Sequence, residues 1–150
     1  LVGPQGQRTI PLVEFYELDC MKKNTLGEGE FLLRVELPKD ASQRVGSYQK
    51  LRVRESWDFP EAGVAASWVP GDVGSLRIAT TALESIPRNH DEEVEAHLGG
   101  NGNKVDVKAL AVSIQKSVKP VNNTALPPAY RRKMVRVLTK RALTALGDLG

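Results

Sequence analysis

The first two thirds of the chain alternate apolar and polar residues, and the last third repeats apolar residues at helical spacing. A period of two predicts strands, whereas spacings of three and four predict amphipathic helices. The strand-like segments are Arg8 to Phe15, Glu30 to Leu37, Gly46 to Arg54, Gly63 to Val69 and Ser75 to Leu83. Pro70, Gly71 and Asp72 are turn residues, so the last two strands are predicted to form a hairpin.

The helical part follows the strands and contains two predicted helices before Pro120. Asp91 to Leu98 predicts a short acidic helix that ends at Gly99 and Gly100. Asp106 is a good N-cap residue, and it precedes a helix that must stop before Pro120. The apolar residues of that helix share one side: Val107, Leu110, Ala111, Ile114 and Val118.

Pro127 or Pro128 is predicted to open a last helix, which ends at Gly147. Its expected buried stripe is Tyr130, Met134, Val137, Leu138, Ala142 and Ala145. The same helix carries six cations and no acid: Arg131, Arg132, Lys133, Arg136, Lys140 and Arg141. These cations are interpreted either as solvated side chains or as a docking face for an acidic partner. Binding of single-stranded nucleic acid also needs exposed aromatics, so no nucleic-acid partner is expected.

Strands first and helices afterwards predict an α+β fold. We expect an antiparallel sheet of three to four strands with about three helices packed on one face. The 150 residues are enough for one domain with a sizeable core. No apolar run approaches the roughly 20 residues of a membrane span, and no export signal opens the chain, so no membrane partner is expected.

The residues that commonly bind metals or act as nucleophiles form no set in this sequence. Cys20 is the only cysteine, so no internal disulfide can form, and a cytoplasmic location is expected. One thiol also cannot hold an iron–sulfur cluster, which uses about four. His90 and His97 lack the third ligand that zinc requires, so we interpret them as surface histidines and expect no metal site. No catalytic residue is predicted.

The segment from Tyr48 to Pro60 combines cations, aromatics and an acid. On the predicted strand, one side carries Tyr48, Lys50, Arg52 and Arg54, and the other carries Gln49, Leu51 and Val53. Trp57, Asp58, Phe59 and Pro60 follow at the end of the strand. Such a combination makes a poor core, but it suits one face of a flat, phosphate-bearing ligand.

Three segments resemble one family in their order and spacing. They are Thr25 to Pro38 (TLGEGEFLLRVELP), Lys50 to Ala66, and Tyr130 to Leu146 (YRRKMVRVLTKRALTAL), with a weaker match at Glu95 to Gly100. They are similar to the C-terminal domain of the FAD-binding (medium) subunit of molybdenum hydroxylases. This family contains carbon monoxide dehydrogenase, xanthine dehydrogenase and 4-hydroxybenzoyl-CoA reductase, and its domain has the α+β shape predicted above.

The resemblance implies cofactor contacts at five positions: Lys50, Leu32, Trp57, Asp58 and Phe59. In the family, a lysine at the position of Lys50 and a leucine at that of Leu32 contact FAD. The corner that matches residues 57–59 lies near the flavin ring in xanthine dehydrogenase-like members, which carry an acid pair and an aliphatic residue there. A solvated strand lysine at position 50 and a core leucine at position 32 remain open alternatives.

The resemblance also implies an organisation and a function. Residues 1–24 would end the preceding FAD-binding domain or form a linker, and residues 25–150 would form the C-terminal domain. The chain would close the flavin pocket of a molybdenum-containing oxidoreductase and help its assembly with a molybdenum-cofactor large subunit and an iron–sulfur small subunit. Ile10 to Pro38 looks most like 4-hydroxybenzoyl-CoA reductase β subunits. Because the family's glycine-rich FAD loops lie in preceding domains, this chain alone is expected to bind FAD weakly or not at all. The alternative is a non-enzymatic partner-binding module of the same fold.

Overall fold

The computed structural model of the protein describes residues 1–19, 21–55, 57–99, 104–147 and 149. The residue contacts divide the chain into two compact units, Leu1–Ser42 and Gln43–Gly150. The domain boundary expected between residues 24 and 25 stays a prediction.

The first unit is built from short elements: β1 (Val2–Gly3), β2 (Gly6–Gln7) and the single-turn helix α1 (Leu12–Phe15). β1 and β2 pair antiparallel. Just after β2, the Arg8 guanidinium donates to both oxygens of the Glu30 carboxylate, at 2.8 and 2.7 Å. This side-chain hydrogen bond lowers the pKa of Glu30 to about 2. The pair therefore stays charged at neutral pH and fixes the loop that contains Glu30 against the end of β2.

Neither strand predicted in this unit forms in the described residues. Pro11 has no N–H for a strand ladder and directly precedes α1, so the prediction for Arg8 to Phe15 is wrong. Glu30 to Leu37 pairs with another strand only at Phe31, which exchanges backbone hydrogen bonds with Val2. Its large apolar side chains are between 47% and 76% exposed: Phe31, Leu32, Leu33, Val35 and Leu37. A period of two identifies two faces, but it does not supply a partner strand.

The second unit begins with an antiparallel sheet, preceded by a 3₁₀ turn at Lys39–Gln43. Its strands, which also lie in this spatial order, are β3 (Val45–Leu51), β4 (Ala62–Val69), β5 (Asp72–Thr81) and β6 (Arg88–Asn89). Three predicted strands and the turn between β4 and β5 are thereby confirmed. β3 ends at Leu51, so the prediction that Arg52 and Arg54 lie on the strand is wrong. Both belong to the loop between β3 and β4.

The elements that follow the sheet are α2 (Asp91–Glu95), β7 (Leu98–Gly99), β8 (Lys104–Val105), α3 (Val107–Ser117) and α4 (Pro128–Ala145). The Asp106 carboxylate accepts hydrogen bonds from the backbone N–H groups of Lys108 and Ala109, which confirms the predicted cap. The acidic helix is shorter than predicted, because β7 pairs with β8. Gly99 therefore belongs to a strand rather than a helix end, and Gly100 lies outside the described residues.

The core of this unit lies between one face of the sheet and the helices. Alternate residues of β4 are buried, and β5 adds Leu76 and Ile78. They pack with a cluster that includes Leu110, Ile114, Val118, Val135, Leu138, Ala142 and Leu143. The predicted α+β class, with helices on one face of an antiparallel sheet, is confirmed.

The buried side of α4 differs from the predicted stripe. The buried residues are Arg131, Val135, Leu138, Thr139, Ala142 and Leu143. Tyr130, which the pattern placed inside, is 45% exposed, and Arg131, which was counted among the surface cations, is fully buried. The helix is thus rotated by part of a turn, because Arg131 finds oxygen acceptors inside the unit.

His90 is also buried, so its interpretation as a surface histidine is wrong. The ring lies with Nε2 2.9 Å from Thr80 Oγ1 and Nδ1 3.2 Å from Glu93 Oε1. Burial lowers the pKa of His90, against the opposing effect of Glu93. The pKa of Glu93 is also lowered, because its hydrogen bonds outweigh the effect of burial, which acts to raise it. The ring therefore packs as a neutral hydrogen-bonded group.

Acidification is expected to destabilise the chain through His90. The unfolded state takes up a proton at about pH 6.5, which the buried ring resists, so stability is complete above that pH and falls as the pH drops below it. Between pH 7 and pH 5 the free energy of unfolding should fall by at most about 2 kcal/mol from this group. Urea unfolding at both pH values measures it. His90→Gln should flatten this dependence, and a parallel fall in the variant and the parent would contradict the assignment.

Candidate functional site

Lys50 is held at the end of the sheet next to the β3–β4 loop. It lies on β3 directly opposite Gly63 of β4, with its side chain exposed. Its Nζ donates to the Asp58 carbonyl oxygen at 2.9 Å. An ammonium has three N–H donors, so one hydrogen bond inside the loop leaves donors for a ligand. Lys50 is therefore positioned rather than freely mobile, and it can still bind an anionic group.

Asp58 closes the β3–β4 loop. Its carboxylate accepts from the Arg54 backbone N–H and the Arg54 guanidinium, both at 2.8 Å, and from the Phe59 backbone N–H at 3.0 Å. The hydrogen bond from the Arg54 side chain holds the pKa of Asp58 well below its usual range. The acid of the predicted corner thus organises the loop, and its oxygens are already used by backbone and guanidinium donors.

Two aromatic side chains project from this loop. Trp57 is 92% exposed and Phe59 is 81% exposed. An exposed aromatic pair on a loop that is closed by hydrogen bonds differs from the other tryptophan, Trp68, which belongs to the core. Both aromatic side chains of the predicted corner are exposed, whereas Asp58 is only partly exposed and is bonded within the loop.

The sheet face opposite the helices is lined by small residues around Tyr48. Gly63 lies under this side chain. A Cβ at Gly63 would come within 2.6 Å of the Tyr48 hydroxyl and 2.5 Å of Thr81 Oγ1. Ala65 and Ala79 pair next to it on the neighbouring strands. The missing side chain lets the Tyr48 ring lie close over β4, next to Lys50 on the same face of the sheet.

Leu32, the remaining predicted contact, belongs to the first unit. It is 47% exposed and lines an apolar groove together with Leu1, Ile10, Leu12, Phe15 and Val35. Its side chain is thus neither fully buried nor isolated on the surface. Its contact with a cofactor stays a prediction.

The sequence pattern did not predict that Arg131 is buried and hydrogen-bonded inside the unit. Its Nε donates to the Glu61 carbonyl oxygen and Nη1 to the Val121 carbonyl oxygen, both at 2.7 Å. Nη1 also reaches Asn123 Oδ1 at 3.3 Å, and Nη2 donates to the Ala82 carbonyl oxygen. The signal was available, because position 131 lies four and seven residues before Val135 and Leu138 and so shares their helix face.

The described residues contain no group of three or more histidine, cysteine, aspartate or glutamate side chains that could hold a metal ion. His97 bonds through Nδ1 to the Glu93 carbonyl oxygen, and Cys20 lies outside the described residues. Within the same residues, no helix is both long enough and apolar enough to cross a membrane.

Removing the Asp58 carboxylate is expected to open the loop. In Asp58→Ala, the backbone amides of Arg54 and Phe59 lose their acceptor, so their hydrogen exchange measured by NMR should be faster than in the parent. The amides of Lys108 and Ala109, which bond to Asp106, serve as internal controls and should not change. Unchanged exchange at all four amides would show that the carboxylate does not organise the loop.

Comparisons with known proteins agree with this architecture. A family model described as the CO dehydrogenase flavoprotein C-terminal domain matches residues 47–146. Carbon monoxide dehydrogenase from Hydrogenophaga pseudoflava, in a form that lacks the Mo-pyranopterin moiety of the molybdenum cofactor, is 28% identical, with a TM-score of 0.81 over 97% of this chain and 50% of that chain.

Two further solved structures share the fold at 20% identity, and each alignment covers 97% of this chain and 50% of the other. They are reconstituted CO dehydrogenase from Oligotropha carboxidovorans, with a TM-score of 0.75, and quinoline 2-oxidoreductase from Pseudomonas putida 86, with a TM-score of 0.76. The chain spans about half the length of the solved chains that it matches. From the family match over most of the second unit, we conclude that the chain belongs to the CO dehydrogenase flavoprotein C-terminal domain family.

Proposed function

We propose that this chain is the C-terminal part of the FAD-binding subunit of a molybdenum-containing oxidoreductase. The observation that carries the proposal is the overlap between the family match and the candidate surface. Residues 47–146 include Lys50, the whole β3–β4 loop and α4. In this proposal the partners are a molybdenum-cofactor large subunit and an iron–sulfur small subunit. A cytoplasmic location is part of the proposal.

The residues of the candidate surface fit a flavin dinucleotide in chemical character. The exposed Tyr48 ring over Gly63 offers an aromatic surface for a planar ring, and Lys50 offers a cation for a phosphate or another anionic group. Trp57 and Phe59 are exposed aromatics that can stack on a planar ring. When bound, FAD supplies the electron-transfer chemistry, while the chain supplies position, charge and exclusion of water.

Asp58 acts in this proposal by keeping the loop closed. Its carboxylate is occupied by Arg54 and Phe59, so it is poorly placed to act as a base or a metal ligand. The negative charge of Asp58 is also compensated by the Arg54 guanidinium at 2.8 Å. Asp58 therefore presents no uncompensated charge to a ligand beside Lys50.

The first test replaces Lys50 in the complete FAD-containing subunit. Lys50→Ala should raise the dissociation constant for FAD by about tenfold or more, because a hydrogen bond to a charged group is lost. Flavin fluorescence during titration measures it. Lys108→Ala, which removes an exposed lysine from the start of α3, is the matched control and should bind FAD like the parent. Equal FAD affinity in all three proteins would show that Lys50 is a surface lysine with no role in FAD binding.

Within this function, we propose a 4-hydroxybenzoyl-CoA reductase-type enzyme, a preference supported by the opening segment Ile10 to Pro38. The assembled enzyme should turn over 4-hydroxybenzoyl-CoA with a kcat/KM at least about a hundredfold above that for quinoline, because an anionic thioester and a neutral ring need different pockets. Steady-state assays of the purified complex measure both substrates, and carbon monoxide oxidation serves as a third comparison. Turnover of quinoline or carbon monoxide alone would overturn the preference and leave the flavin proposal intact.

The alternative function is a partner-binding module without enzymatic activity. It is favoured by the five cations on α4 that lie outside the core: Arg132, Lys133, Arg136, Lys140 and Arg141. The intact protein distinguishes the two functions. Stoichiometric bound FAD supports the oxidoreductase, and an intact protein without flavin that captures an acidic partner supports the module.

A further inference from the structure

The buried Arg131 guanidinium connects α4 to the two strand ends that border the candidate surface. Its acceptors include the carbonyl oxygens of Glu61, directly before β4, and of Ala82, directly after β5. Two further acceptors, Val121 O and Asn123 Oδ1, come from the segment between α3 and α4. One side chain therefore joins three segments that are distant in sequence.

Both backbone polar groups of Glu61 are hydrogen-bonded. Its N–H donates to the Leu51 carbonyl oxygen at 2.7 Å, which closes the base of the β3–β4 loop. Its own carbonyl oxygen accepts from Arg131 Nε at 2.7 Å. Leu51 directly follows Lys50, so a displacement of Glu61 is passed to the residue next to the predicted cofactor contact.

Ala82 carries a second restraint to the same surface. It has a φ of +63°, a conformation that a residue with a side chain rarely adopts without support. Its carbonyl oxygen accepts from Arg131 Nη2. The preceding residue, Thr81, lies over Gly63 beside Tyr48. The guanidinium thus holds the backbone at the start of β4 and at the end of β5, next to the Tyr48 side chain.

We propose that Arg131 is a positioning residue for FAD, which acts through Glu61 and Lys50 without touching the cofactor. This inference rests on the proposed function. The planar fork of arginine supplies five N–H donors in fixed directions, which suits four oxygen acceptors from three segments. A lysine at this position keeps the charge but offers three donors around a single atom, so it cannot bond the same acceptors together.

The test uses Arg131→Lys in the complete FAD-containing subunit. FAD affinity should fall about tenfold or more, close to the loss in Lys50→Ala, because the same charged contact is misplaced. Leu110→Ala is the control for general loss of stability. It removes core volume at the start of α3, whereas the acceptors Val121 and Asn123 follow the end of that helix. FAD titrations are run well below the lowest melting temperature, with far-ultraviolet circular dichroism to verify folding.

A double variant decides whether Arg131 acts through Lys50. Arg131→Lys combined with Lys50→Ala should bind FAD no more weakly than Lys50→Ala alone, because the lost contact is the same one. Additive losses would overturn the inference, as would equal FAD affinities in Arg131→Lys and Leu110→Ala. A normal FAD affinity in Lys50→Ala would instead reject the proposed cofactor site itself.

A milder change covers the case in which Arg131→Lys does not fold. Asn123→Ala removes one side-chain acceptor and leaves the guanidinium with its three carbonyl acceptors. FAD affinity should fall about twofold to fivefold, since one neutral hydrogen bond is lost from the network. The fall should disappear when Lys50 is already alanine. Unchanged affinity in the folded Asn123→Ala subunit would overturn the inference.

Discussion

The second unit depends on one buried charge. Taking a guanidinium out of water costs several kcal/mol, so it must find oxygen acceptors in the interior. Arg131 finds them in Glu61, Ala82, Val121 and Asn123, and its Nε lies 3.8 Å from the Glu61 carboxylate. Leaving such a charge unpaired typically costs about 3–5 kcal/mol. A rotation or a slide of α4 on the sheet would leave Arg131 unpaired in this way, so the helix has one register.

That register divides the sheet into two chemically different faces. One face packs Val64, Trp68, Leu76 and Ile78 against the helices, and the other carries small side chains around Tyr48. The pleat of β4 places these sets on opposite sides of the same strand. The packed face supplies rigidity. On the open face, Gly63 lets the Tyr48 ring come close to the backbone. The hydrogen bonds of Asp58 and Arg131 extend this rigidity to the loop beside Lys50.

The sequence could predict those elements that find their partners nearby in the chain. β4 and β5 form a hairpin over a Pro-Gly turn, and Asp106 caps α3 with its own carboxylate. The pattern failed where the outcome depends on distant residues. Glu30 to Leu37 alternates correctly but meets another strand only at Phe31.

The sequence pattern also failed to predict the buried polar side chains, because their burial depends on distant residues. The sequence around His90 is typical of a protein surface, since His90 directly precedes an acidic helix. Its burial depends on Thr80 on the sheet and Ser117 on α3, which are 10 and 27 residues away in the chain. Composition near a residue describes its neighbours along the chain, whereas its environment is set by neighbours in space. Lys50 and Asp58 are close both along the chain and in space, so their hydrogen bond needs no distant partner, and their role in a cofactor site stays a prediction.

The basic residues of α4 show which property separates a structural cation from a solvated one. Arg131 and Arg132 are neighbours with the same side chain, yet only Arg131 is buried. Like charges four residues apart on a helix cost only about 0.2–0.5 kcal/mol, so the row at Arg132, Arg136 and Lys140 does not need a partner to be tolerated. Charge density is therefore weak support for a docking face. The phase of Arg131 with Val135 and Leu138 is the informative signal, because a charge on an apolar helix face must be satisfied inside the fold.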